Sequence, residues 1–265
     1  MQINRADNNC VLSADNIELL NTRKTKNQTN PATSATATPA SANSAAATPA
    51  SANSAAATPA SANSTTSTAA NSPRVITLPA FTNPMQKGQK LVLSQTPVPA
   101  IKASLGWNVK SSACDLDVSA FLLSNTGKVI GEDWFVFYGQ PDSPDRSVRF
   151  REDNAPDTCE AIDVDFTKLN PEVEKIVFVL TINEALEKNL NFSMVKDAWI
   201  RIMDPASGRE LVSYQMEDYY ANVISMMIGE LYRHNGVWKF NAVGNGVARD
   251  LAGLCELYGV EVASS

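Results

Sequence analysis

From residue 90 onward the chain alternates short apolar runs with clusters of turn-forming residues. The runs extend from Lys90 to Ser94, Val118 to Ser124, Trp134 to Tyr138, Ser147 to Arg151, Ile176 to Ile182, Trp199 to Met203, Glu210 to Tyr214 and Val237 to Val243. β-Branched and aromatic side chains fit a pleated, half-buried surface, so each run predicts a strand. Their regular spacing predicts a mainly β protein, an antiparallel two-sheet β-sandwich with a few short helices. Ile176-Val-Phe-Val-Leu-Thr-Ile182 is apolar on both faces, which predicts a central strand. Trp199–Met203 and Glu210–Tyr214 flank Asp204-Pro-Ala-Ser-Gly208, a turn composition that makes the pair a hairpin. A second hairpin is predicted across Gly229 to Phe240, where Asn235-Gly236 supplies the positive-φ turn and leaves His234 at the tip. Near the end, Ala248, Leu251, Leu254, Cys255 and Tyr258 recur at helical spacing with Gly259 placed as a cap, predicting a helix packed across one sheet face.

The first third of the chain has a different pattern. Between Asn27 and Pro73 there is no Asp, Glu, Lys or Arg, and a decapeptide is written three times, as ATATPASANS from Ala35 and AAATPASANS from Ala45 and Ala55. Ala, Ser, Thr, Asn and Pro offer too little apolar surface to offset a backbone ordering entropy of about 1–2 kcal/mol per residue, so residues 31–73 are predicted to be a disordered linker. A solenoid would need larger apolar side chains to stack between repeats. Pro39, Pro49 and Pro59 bias this spacer toward extended geometry. Residues 1–30 form a polar N-terminal segment containing one short apolar stretch, Cys10 to Leu20, which is either a frayed terminus or a docking peptide on a tether. The folded unit is then 74–265.

Charge and chemistry narrow the function. The net charge of −6 disfavours nucleic-acid and anionic-membrane surfaces, which attract Lys and Arg. Cys10, Cys114, Cys159 and Cys255 are too far apart to form a C-x-x-C motif, and His234 is the sole histidine, which excludes His-rich zinc sites and leaves a Ser-His-Asp or Cys-His scheme only one base, disfavouring most common hydrolase mechanisms. Residues 1–30 lack the apolar run of a secretory signal, and no stretch of eighteen apolar residues occurs, so a cytoplasmic protein with no membrane span is expected.

What remains is carboxylate clustering. In an extended Asp115-Leu116-Asp117 the period of two puts both acids on one face, opposite Leu116. A second cluster, Asp142, Asp145, Glu152, Asp153, Asn154, Asp157 and Glu160, falls in a Pro- and Asp-rich segment read as a loop. Oxygen-only ligand sets suit hard cations, and a flexible loop supplying six to eight oxygens at about 2.3–2.6 Å favours Ca²⁺ over Mg²⁺. The spacing does not match an EF-hand, and paired acids as a glycosidase acid and base are the lesser reading. Carboxylates beside Cys114 and Cys159 should raise those thiols' pKa and argue against nucleophilic roles. The aromatic-rich Gly229–Phe240 hairpin reads as core, and the Gly244-Asn-Gly246 run lacks the fuller phosphate-loop pattern that an anion cradle ahead of the terminal helix would need.

Across roughly residues 83–262 these motifs occur in the order found in one known family. Gly106-Trp-Asn108, Asp115-Leu-Asp117 running into Ser119-Ala-Phe-Leu-Leu123, Phe135-Val-Phe-Tyr138, Ile176-Val-Phe-Val179, Ile200-Arg-Ile202, Gly229-Glu-Leu-Tyr-Arg233, Trp238-Lys-Phe240 and Tyr258-Gly-Val260 resemble TerD-type tellurium-resistance and stress proteins. The resemblance implies a cytosolic β-sandwich without a settled catalytic activity. It also implies calcium binding through acidic loops, and action as an adaptor or scaffold with soluble and integral-membrane partners of a tellurite- and stress-resistance system.

Carried over residue by residue, the family's calcium ligands are only partly present. Asp115 and Asp117 keep its Asp-Leu-Asp. Its Gly-Asp-Asn reads Glu152-Asp153-Asn154, its glycine-rich loop is shortened, and its Gly-Asp-Asp-Glu ending reads Asp157-Thr158-Cys159-Glu160. The acid usual after Gly-Trp is Asn108, and the histidine near Ser-Val is Phe150. Because calcium affinity follows ligand charge and rigidity, the resemblance implies at most one ion here, held by Asp115, Asp117, Asp153 and Glu160 with Asn154 or Asp157. The alternative is a metal-independent structural or interaction module whose calcium site has degenerated.

Overall fold

A computed structural model describes residues 75–94, 97–153 and 155–262. The predicted docking segment, the repeat linker and Asn154 lie outside the described residues. Twelve strands pair into two six-stranded sheets. The first contains β1 (Pro84–Met85), β3 (Ala100–Val109), β6 (Val148–Glu152), β7 (Glu160–Asp165), β9 (Val195–Met203) and β10 (Glu210–Gln215), in the order β1-β10-β9-β3-β7-β6. The second contains β2 (Lys90–Val92), β4 (Leu116–Leu123), β5 (Phe135–Val136), β8 (Lys175–Ile182), β11 (Ser225–His234) and β12 (Val237–Val247), in the order β2-β12-β11-β8-β4-β5. Every pairing is antiparallel except β1 with β10.

The period of two assigns the layers. On β4, Leu116, Val118, Ala120 and Leu122 enter the core between the sheets together with Ile176, Phe178 and Leu180 of β8. The residues between them, Phe121, Leu123, Val177 and Val179, face the opposite side and are covered by α1 (Leu251–Tyr258) through Leu254 and Cys255. This two-sided burial is why β8 reads as apolar throughout. The side chain of Asp250 accepts from Gly253 N–H at the start of α1, and Gly259 closes it at φ 81°. In the β11–β12 hairpin, Asn235 and Gly236 adopt φ of 52° and 76°, the left-handed pair a two-residue turn requires.

Two expectations are corrected, and one strand runs further than predicted. Trp134–Tyr138 is a 3-10 turn, Glu132–Trp134, followed by the two-residue β5. The run predicted to end at Val243 continues through Gly244 and Gly246 to the end of β12. The acidic segment from Asp142 to Glu160 is not all loop: the predicted run Ser147–Arg151 forms β6 inside it, and Glu160 opens β7.

A strap enters along the outer face of the first sheet. There Ile101, Ala103, Leu105 and Trp107 of β3 point into the core, leaving Lys102, Ser104, Gly106 and Asn108 outward. Ile76 is buried over Gly106 beside Trp199, and a Cβ on residue 106 would lie within 2.6 Å of Ile76 and Trp199 atoms. Asn108 fixes the strap in both directions: its Oδ1 accepts from Ile76 N–H at 2.9 Å and its Nδ2 donates to Ile76 O at 3.2 Å. Phe81 meets Trp199 edge-on, with centroids 5.9 Å apart.

Candidate functional site: the acidic end of the sandwich

The predicted ligands lie on adjoining stretches but turn toward different partners. Leu116 is buried, so Asp115 and Asp117 take the opposite, outer side of the second sheet, as the alternation required. Asp153 turns over the first sheet, where Lys102 Nζ donates to its Oδ2 at 2.6 Å and Ala155 N–H to its Oδ1 at 3.0 Å. Asp157 meets Arg201 at 3.4 Å on the same side. Glu160, only 8% exposed, points between the sheets and accepts from Val118 N–H at 2.7 Å. A backbone bond from Asp153 N–H to Cys159 O ties these stretches together.

The wider acidic cluster disperses further. Asp142 pairs with Arg149, and Asp145 fastens its own turn by accepting from Ser143 and Ser147 and from Asn170 N–H. Among the described residues, no three His, Cys, Asp or Glu side chains gather where they could hold a metal ion. As placed, the ligands carried over from the family do not fit a calcium cage. Asp153 and Asp157 are neutralised by cations of the chain itself on the first sheet's outer side, while Asp115 and Asp117 lie on the outer side of the second sheet and Glu160 in the interior.

Lys102 and Arg201 are the residues that sequence reasoning missed at this end. Arg201 stands over the ring of Trp199, 5.5 Å from its centroid, and is mostly enclosed. A lysine and an arginine in half-buried strands were the available signal, because a charge placed there needs a counter-charge. Burial, with Asp115 alongside, pushes the Cys114 thiol up to about 11, and burial beside Asp250 and Glu256 pushes Cys255 up to about 12. Both thiols are therefore protonated and inert at neutral pH. In the β11 hairpin, Arg233 takes a two-pronged grip on Glu174 at 2.6 and 3.1 Å.

Residues 82–258 match the TerD domain model. The chain belongs to the TerD domain family. The tellurium resistance protein TerD of Serratia marcescens is 37% identical over 189 residues, covering 68% of this chain and 98% of the relative. General stress protein 16U of Bacillus subtilis is 34% identical over 188 residues, covering 67% of this chain and 97% of the relative. A solved structure described as a homologue of telluride resistance protein (TerD) from Streptomyces coelicolor superimposes with a TM-score of 0.46 at 16% identity, covering 59% of this chain and 94% of that one. The TerD match begins at residue 82, so the strap residues Ile76 and Phe81 lie ahead of it. Among the described residues no helix is long and apolar enough to cross a membrane.

Proposed function

We propose that this TerD-family chain is a non-enzymatic, cytoplasmic adaptor of a tellurite- and stress-resistance system, one whose acidic end is closed by its own cations and works without calcium. The observation that supports it is the pair of ion contacts Lys102–Asp153 and Arg201–Asp157. A bound divalent ion offsets the repulsion of clustered carboxylates, and here an ammonium and a guanidinium do so for two of them. The relatives carry tellurium-resistance and general-stress names, and the tether predicted for 31–73 suits a domain that docks to protein partners, soluble or membrane-bound.

A second reading, the calcium-linked adaptor, is favoured by the closeness of the stretches bearing Asp115, Asp117, Asp153, Asp157 and Glu160, which the Val118 and Cys159 contacts bind together. Calcium would have to displace Lys102 and gather these acids anew. Thermal melts of the full chain in Ca²⁺ and in chelator decide between the two, since an ion that binds only the folded state raises its stability. The metal-independent reading expects superimposable melts. An upward shift in millimolar Ca²⁺ that Asp117→Asn removes would establish the calcium-linked one.

A further inference from the structure

Beyond the surface that α1 covers, the second sheet ends in β2, which pairs with β12 alone. Leu93 N–H bonds to Trp238 O and Ala242 N–H to Gln89 O, so residues 89, 91 and 93 turn their backbone groups toward β12. The N–H and C=O of Lys90 and Val92 therefore face outward, a template on which another segment can pair. Between this edge and the β11–β12 turn lies an open concavity of about 300 Å³, lined by Val92, Ser94, His234, Asn235, Val237 and Lys239. Val92 and Val237 are 39% and 44% exposed, and the adjoining Leu91 is 45% exposed. Val237 also borders a neighbouring cavity of about 290 Å³ walled by Val98, Phe166 and Trp238.

Charge decides what can lie there. Phe240 is buried in the core, so Lys239 and Asn241 take the outer face of β12, with Val92 and Lys90 opposite them in register. Lys90 Nζ stands 5.9 Å from the centroid of the Tyr232 ring. Among the described residues neither Lys90 nor Lys239 forms an ion pair. No Asp or Glu of the described residues lines the concavity. Glu230, opposite Asn241 across the hairpin ladder, is held by Lys175 at 2.9 Å and by Asn241 Nδ2 at 3.0 Å. Two unpaired lysines beside exposed apolar side chains, in a chain of net charge −6, select an occupant that is both acidic and apolar.

The chain itself contains such a segment. Cys10–Leu20 holds Val11, Leu12, Ile17, Leu19 and Leu20, and its only charges are Asp15 and Glu18. The basic residues Arg23, Lys24 and Lys26 fall after it, and no charge between Asn27 and Pro73 competes for the two lysines. A flexible chain as long as residues 21–74 spans about 40 Å, and a folded unit of this size is about 40 Å across. The segment thus reaches any face of its own sandwich, at a local concentration of millimolar order.

We propose that Cys10–Leu20 docks in cis along the β2 edge, with Asp15 and Glu18 against Lys90 and Lys239 and its apolar residues over Val92 and Val237. Docked there it covers the outward edge, and a protein partner that uses this face must displace it. Register places the site at the Leu123 end of the second sheet, away from Asp115 and Asp117, so it does not depend on how the acidic end is neutralised.

Zero-length carbodiimide coupling of the full chain, read by peptide mass spectrometry on a mixture of ¹⁵N-labelled and unlabelled protein, tests this. Links from Asp15 or Glu18 to Lys90 or Lys239 are expected, within chains of one label. They should exceed links to Lys196, an exposed lysine of β9 on the other sheet, by about tenfold or more. Val237→Asp leaves both lysines and both acids in place and should bring that preference to parity. Ile17→Ser with Leu19→Ser lies outside the sandwich and should do the same, which keeps the test open if Val237→Asp fails to fold. Equal coupling to Lys196, or a preference that survives the tail substitutions, would overturn the proposal. So would links formed mainly between labelled and unlabelled chains, which place the segment on a second copy.

Discussion

Asn108 shows what one amide does that a carboxylate could not. Its Oδ1 accepts from the strap and its Nδ2 donates to it, while Nδ2 also reaches Asp197 Oδ2 at 3.1 Å. Here Asn108→Asp would keep the shape but remove both donated bonds and set two carboxylates together in a site that is 6% exposed. The expected loss is about 2 kcal/mol or more at neutral pH, read as a lower urea midpoint. Acidification should recover part of it, because the like-charge pair raises the new aspartate's folded pKa and protonation restores a donor.

At the scale of elements, β3 and β7 were the strands hardest to read from the sequence, for different reasons. Ala100–Val109 alternates correctly, with Ile101, Ala103, Leu105 and Trp107 inward, but its outward Lys, Ser, Gly and Asn dilute the apolar signal. Of these, Gly106 and Asn108 lie beneath the strap residue Ile76. Glu160–Asp165 has acids at three of its six positions, which masks the alternation by which Ile162 and Val164 bury as strand residues, and Glu160 reads from sequence as the end of the acidic loop. The hairpins, β8 and the C-terminal helix were legible because turn chemistry and periodicity are local properties. The partners of the acids were not legible, since Lys102 and Asp153 are 51 residues apart in sequence and share no local pattern.

Asp145 belongs to this same scale, as the clasp of the turn before β6. Burial pushes its pKa up, but the bonds from Ser147, Ser143 and Asn170 outweigh that and hold the carboxyl below its usual range. A folded pKa below the unfolded one contributes stability that is present above the unfolded value, near pH 4, and is lost as pH falls through the folded value. Asp145→Asn should therefore lower stability at neutral pH by about 1–2 kcal/mol. It should also flatten the decline of stability below about pH 4, which a series of denaturant melts from neutral to acid pH would reveal. A parallel, undiminished decline would place the acid sensitivity elsewhere, with Asp165 the next carboxylate, held down to about 2 by Lys168 and Thr167.

For the whole molecule, the distribution of charge separates two parts. Residues 1–73 carry four basic and three acidic side chains, so the remaining 18 basic and 25 acidic residues place a net charge of −7 on residues 74–265. The acidity belongs to the folded unit, and that unit begins earlier than the TerD match. Buried Glu210 accepts from Thr82 N–H at 3.0 Å, from Asn83 N–H at 2.7 Å and from Ser213 Oγ at 2.8 Å, while Ile76 covers Gly106 and Thr77 N–H bonds to Pro156 O in the acidic segment. A truncation removing residues 1–73 takes away none of these contacts and should melt with the full chain. A truncation removing residues 1–83 uncovers Trp199, deprives Glu210 of two of its three donors at Oε1 and releases the acidic segment from Thr77. It should lose about 3 kcal/mol or more. Chemical denaturation of both forms beside the full chain measures the difference. If the shorter form were as stable as the longer, the strap would be an appendage of the tether instead of part of the sandwich.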